Sequence, residues 1–131
     1  MPETYTIGDV CAEFGVTPRA LRFYESKGLL SPIREGQKRL FTNRELARLK
    51  LILRGKRFGF ALSEIKELLD LYHVDDGQVT QLSATLEAAQ RHHEELVAQR
   101  DEMDLVIADI EEHMKQLRQM LEAKGVSQAA E

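Results

Sequence analysis

TPRALRFYESKGLLSP, residues 17–32, is the stretch whose reading decides the fold of this chain. Thr17 followed by Pro18 marks a helix start. A threonine hydroxyl accepts from an early backbone N–H, and proline at the first helical position loses only an N–H that had no partner. Gly28 is a good stop, and Leu29 and Leu30 form an apolar pair beyond it. At about 100° per residue, Ala20, Leu21 and Tyr24 share one side of this helix, and Arg19, Arg22, Phe23 and Ser26 share the other. The first side is a core face. The second is basic and aromatic.

Working outward, TIGDVCAEFG reads as a preceding helix. Thr6 and Asp9 fit a capping box, Ile7, Val10, Cys11 and Phe14 form an apolar stripe, and Gly15 ends it. Cys11 falls on that stripe, where a structural thiol is expected. Two short helices joined at Gly15-Val16, the second basic outside, make a helix-turn-helix pattern. LLSPIREGQKRLFT then gives strand-like pieces on either side of Glu35-Gly36-Gln37, a hairpin from which Arg34, Lys38 and Arg39 project as a candidate basic wing. A third helix opens with a capping box from Thr42 to Glu45 and buries Leu46, Leu49, Leu53 and Ile52. Arg44, Arg48, Lys50, Arg54, Lys56 and Arg57 take its other faces. Gly59 breaks the pattern, and LSEIKELLDLY reads as a fourth helix.

From Val79 to Leu121 the apolar spacing becomes a strict three-four alternation, the coiled-coil repeat. The seam includes Leu82, Leu86, His93, Leu96, Arg100, Met103, Ile107, Ile110, Met114 and Leu117. Such a helix is about 65 Å long at ~1.5 Å per residue, too long to bury its stripe on a domain of this size. A second copy is the economical partner, so a homodimer is expected. His93 and Arg100 interrupt the seam, where polar residues commonly fix register or orientation. The expected organisation is a winged helix-turn-helix domain over 1–72, a connector over 73–78, a coiled-coil dimerisation helix over 79–122 and a polar tail over 123–131. The fold class is mainly α.

Charge supports this division. The chain carries a net −4, yet residues 1–70 hold 13 basic and 9 acidic residues, while residues 71–131 hold 5 and 13. A basic front on an acidic back is the footprint of a nucleic-acid-binding module joined to something else. The single cysteine excludes an internal disulfide framework and suits a reducing compartment. The start, MPETYTIGDV, lacks the pattern of a secretory signal, and no apolar run reaches the ~20 residues of a membrane span. No nucleophile–base pair, phosphate-cradling loop or carboxylate pair points to catalysis, so no enzyme activity is expected.

These motifs, in order and spacing, resemble the MerR family of bacterial transcription regulators. The likeness is close over about residues 5–71, where R-x-x-R-[FY]-Y-E-x-x-G-L-L follows a capped helix, and architectural beyond. The resemblance implies a winged helix-turn-helix, two further helices, and a long fifth helix pairing antiparallel with its twin. It implies a cytoplasmic, nucleoid-associated dimer that binds an inverted repeat in double-stranded promoter DNA, acts by distorting it, and works with RNA polymerase there. On this likeness Arg19 would reach base edges with Arg22 beside it, and Thr17 and Tyr24 would serve the phosphate backbone. Arg39 would act from the wing, and Arg54, Lys56 and Arg57 would form a second basic edge. Lys38 stands where the family often has tyrosine, which suggests a cationic wing contact, and Ala61 where Ser or Thr often caps the fourth helix. An architectural or phage-type DNA-bending factor without effector is the alternative reading.

No cofactor or metal is expected. Position 79 is valine and no cysteine follows Cys11, which excludes the thiolate ion sites of the family's metal sensors. His92 and His93 are adjacent and point about 100° apart on a helix, so they do not readily share one ion. The DNA-binding half also looks like the short regulators of branched-chain amino-acid and acyl-CoA catabolism, which would suggest a small metabolite or a CoA ester as effector.

Overall fold

The structure is a computed structural model that describes residues 3–71 and 78–126. Its elements are β1 (Thr4–Thr6), α1 (Ile7–Phe14), α2 (Pro18–Ser26), β2 (Ile33–Glu35), β3 (Lys38–Thr42), α3 (Asn43–Arg57), α4 (Leu62–Asp70) and α5 (Val79–Ala123). They fall into two compact units, Met1–His92 and His93–Glu131. Among the described residues, no helix is long and apolar enough to cross a membrane.

The first unit is built from local signals. At α1 both arms of the capping box form: Asp9 N–H donates to Thr6 Oγ1 and Thr6 N–H to Asp9 Oδ2, each at 3.1 Å. Gly15 adopts φ 67°, a left-handed conformation that glycine reaches without a Cβ clash, and this turns the chain into α2. Thr17 Oγ1 then accepts from Ala20 N–H at 3.1 Å. At the other end of α2, Leu29 N–H donates back to Tyr24 O at 2.9 Å, which swings Leu29 and Leu30 into the core.

Three expectations about the later helices change. The capping box of α3 is only half formed: Glu45 N–H donates to Thr42 Oγ1 at 3.4 Å, but the Glu45 carboxylate is buried and accepts from Ser31 N–H at 2.9 Å. The buried stripe of α3 therefore centres on Glu45, Leu49, Ile52 and Gly55, with Leu46 and Leu53 only partly covered. Arg48, assigned to an outer face, is half-buried and donates to Leu29 O at 2.9 Å. A Cβ on Gly55 would lie 2.9 Å from the Ile65 side chain, so glycine is what lets α3 and α4 approach. Helix α4 begins at Leu62, as expected, with no side-chain cap from Ala61.

A three-stranded antiparallel sheet of order β1-β3-β2 closes one side of this unit. The β2–β3 hairpin is the expected wing. Strand β1 was not anticipated: three residues carry too little pattern to announce a strand, and it exists because Thr4–Thr6 pairs with Leu40, Phe41 and Thr42.

The expected domain edge at residue 72 also moves. The connector placed at 73–78 lies outside the described residues except for Gln78, which has φ 69°. The first turns of α5 then belong to the first compact unit. Gln81 and Ala88 are buried, Gln81 Nε2 donates to Leu68 O at 3.0 Å, and His92 stacks on Phe60 with ring centroids 4.4 Å apart. Residues 81, 85, 88 and 92 share a helix face, separate from the seam. In the second unit, α5 continues to Ala123, one residue beyond its expected end. Its seam residues Leu96, Met103, Ile107, Ile110, Met114 and Leu117 stand between 41 and 59% exposed.

Candidate nucleic-acid interface

Core packing settles which way α2 faces. Leu21 and Tyr24 are buried and Ala20 partly so, which turns Arg19, Arg22, Phe23 and Ser26 outward. Arg19 and Arg22 have no ion-pair partner among the described residues, so both guanidinium forks are available. Thr17, at the head of the helix, is exposed with its oxygen engaged in the cap. Tyr24 is 3% exposed, because it fills the side of α2 that its helical spacing assigned to the core.

The wing is fastened to α2 by a residue the sequence reading passed over. Glu25 Oε1 accepts from Arg39 Nε at 2.6 Å and Oε2 from Arg34 Nη1 at 3.1 Å. Burial works to raise the Glu25 carboxyl, but the two arginine hydrogen bonds outweigh it and hold the group below its ordinary value. Arg39 is thereby only 21% exposed at its side chain, and its ion pair with Glu25 ties the wing to α2. Two features pointed to Glu25: it is one of three acidic residues between Gly15 and Arg57, and it stands in the R-[FY]-Y-E motif. Lys38 remains exposed. With Arg22 and Arg39 it lines a cleft of about 310 Å³ between α2 and the wing.

The expected second basic edge divides. Lys56 leaves α3 toward α2, its Nζ 5.5 Å from the centre of the Tyr24 ring. Arg54, two residues earlier and so about 160° away around the helix, borders a cavity of about 210 Å³ lined by α3, α4 and the first turns of α5. Arg54, Lys56 and Arg57 all lie in the last turn of α3, where cations also favour the helix dipole. Arg22, Lys38 and Arg39 thus border one cleft, Arg19 stands one turn from Arg22 on α2, Lys56 reaches toward the Tyr24 ring, and Arg54 borders the cavity beside α4 and α5.

A second ionic cluster lies apart from this surface. Glu64 of α4 shares a 2.8 Å hydrogen bond with His92 Nε2 and accepts from Arg91 Nη2 at 3.2 Å. The His92 hydrogen bond lowers the Glu64 carboxyl from its ordinary value against the opposing effect of burial, and Arg91 adds to the lowering.

Comparison with known proteins matches both the first unit and much of α5. The profile of the MerR HTH family regulatory proteins matches residues 5–71, and that of the MerR DNA-binding segment matches residues 46–112. The HTH-type transcriptional regulator CueR of Salmonella typhi is 35% identical over 104 residues, covering 74% of this chain and 75% of its own. Among solved structures, HiNmlR, a MerR family regulator lacking the sensor domain and bound to promoter DNA, aligns with a TM-score of 0.63 at 25% identity. The match covers 95% of this chain and 92% of that one. The N-terminal part of MtaN, the Bacillus subtilis multidrug transporter activator, aligns with a TM-score of 0.66 at 33% identity over 84% of this chain and 97% of its own.

Proposed function

The chain belongs to the MerR family of helix-turn-helix regulatory proteins, and on that premise we propose that it binds an inverted repeat in promoter DNA as a homodimer and regulates transcription by distorting that DNA. The observation that carries this reading is the surface of α2 and the wing. Two arginines with no ion-pair partner among the described residues face outward one helical turn apart, beside a hairpin whose own arginines are held by a carboxylate from the same helix. Arginine forks suit guanine O6 and N7 in the major groove. The wing and Lys38 supply phosphate contacts, which fix the register of the protein on the duplex.

The bare seam of α5 supports the second copy. A two-fold dimer presents two recognition helices to two half-sites, and bending or untwisting the DNA between them makes part of the specificity indirect. RNA polymerase at the same promoter reads the outcome. The protein acts by binding and not by catalysis: its clustered titrating groups, Glu25 and Glu64, are committed to arginine and histidine partners.

The test is selection of the purified protein against a pool of random duplex DNA. A retained two-fold-symmetric sequence with fixed half-site spacing is the expected result. Retained DNA without a consensus would instead indicate an architectural DNA-bending factor.

A further inference from the structure

Phe23 is the one large apolar side chain that α2 leaves exposed, at 43%. The core does not need it: Leu21 and Tyr24 fill the inner face. It stands four residues from Arg19 and four from Lys27, whose Nζ lies 5.6 Å from the ring centre. An aromatic ring kept in water between two cations, on the helix face aimed at DNA, calls for an apolar partner in the groove. The major-groove edge of duplex DNA offers one apolar group, the C5 methyl of thymine. Four residues of helix advance about 6 Å along the axis, which is about two base-pair steps.

We propose that Phe23 reads the methyl group of a thymine in each half-site, within about two base pairs of the base contacted by Arg19. The inference rests on the promoter-regulator reading above and assigns specificity to a residue with no hydrogen-bonding capacity at all. Arginine pairing then selects a guanine, and the ring selects a thymine next to it. Ser26, whose hydroxyl donates to Phe23 O at 2.6 Å, is turned back on the helix and does not compete for that base.

Replacing thymine by deoxyuridine removes the methyl and nothing else. Each thymine of the selected site is replaced in turn, first in one half-site and then in both. Affinity is measured by fluorescence anisotropy for wild type, Phe23→Ala, Phe23→Leu and Arg19→Ala. At one symmetric position wild type should lose about fourfold per half-site and about fifteenfold for both, the scale of a buried methyl. Phe23→Ala should bind thymine and uracil sites alike at that position, and Phe23→Leu should keep part of the difference. Arg19→Ala should bind more weakly overall and keep it in full. The inference is overturned if wild type is indifferent to every substitution, if Phe23→Ala discriminates as wild type does, or if the selected half-site has no thymine there. If no symmetric site is selected, the promoter-regulator reading itself fails, and this inference with it.

Discussion

Glu25 works against the charge of its surroundings. Between Gly15 and Arg57 there are 12 basic residues and 3 acidic ones, and this carboxylate stands on α2, the helix proposed to read DNA. Its value lies in geometry: it holds Arg39 and Arg34 so that the wing and α2 present one surface. Glu25→Gln should lower the unfolding free energy by about 1 kcal/mol, the scale of a well-formed surface pair. Its effect on binding should divide in two. Affinity for random duplex should rise and its salt dependence steepen by up to about one unit in log–log slope, because a negative charge leaves the interface. The ratio of operator to random-duplex affinity should fall, because the wing arginines lose their fixed pose. Salt titrations with both duplexes measure this, and an unchanged ratio would show that Glu25 does not position the wing.

At the level of elements, helix ends and their caps offer the sharpest expectations. Ala61 precedes α4 at φ −69° and ψ 149°, an extended conformation suited to a capping side chain, and it supplies none. Ala61→Ser should raise the unfolding free energy by about 1 kcal/mol in urea melts. The contact of α4 with α5 has a pH signature. The Glu64 carboxyl is lowered from 4.5 in the folded protein, so its contribution is complete above the unfolded value and is lost as the pH falls from about 4.5 through the folded value. Glu64→Gln should therefore flatten the acid limb of a stability–pH profile, and an identical acid limb would remove Glu64 from the account. These cases show what the sequence could disclose. The capping residues of α1, α2 and α3 and the inner face of α2 were legible, because caps and periodicity are local. The half-formed box of α3 was not, because the partner of Glu45 is Ser31, 14 residues away. Strand β1 depends on β3, and the role of Arg39 depends on Glu25, contacts that no local pattern encodes. The inner face of α5 escaped notice because the heptad stripe is stronger and occupies another side.

For the whole molecule, the remaining issue is what covers α5. The seam leaves Leu96, Met103, Ile107, Ile110, Met114 and Leu117 exposed in the second unit, and Leu82 and Leu86 exposed in the first. A helix surface with that spacing is matched by a copy of itself, in which each seam residue packs between residues of the facing helix. The acidity of residues 71–131 fits such a role, since it keeps this part of the chain from competing with the basic front for phosphate. Operator binding should then depend on a residue that touches no DNA. Leu96→Glu places a charge in the apolar seam of each copy, and burying an unpaired carboxylate there disfavours association. Sedimentation equilibrium should show a monomer where wild type is a dimer. Operator affinity should fall by about a hundredfold or more, because the second half-site is no longer tethered to the first. Affinity for an isolated half-site should stay at the wild-type level, since α2 and the wing are unchanged. A Leu96→Glu protein that remained dimeric, or that bound the full operator as tightly as wild type, would place the dimer contact somewhere other than this seam.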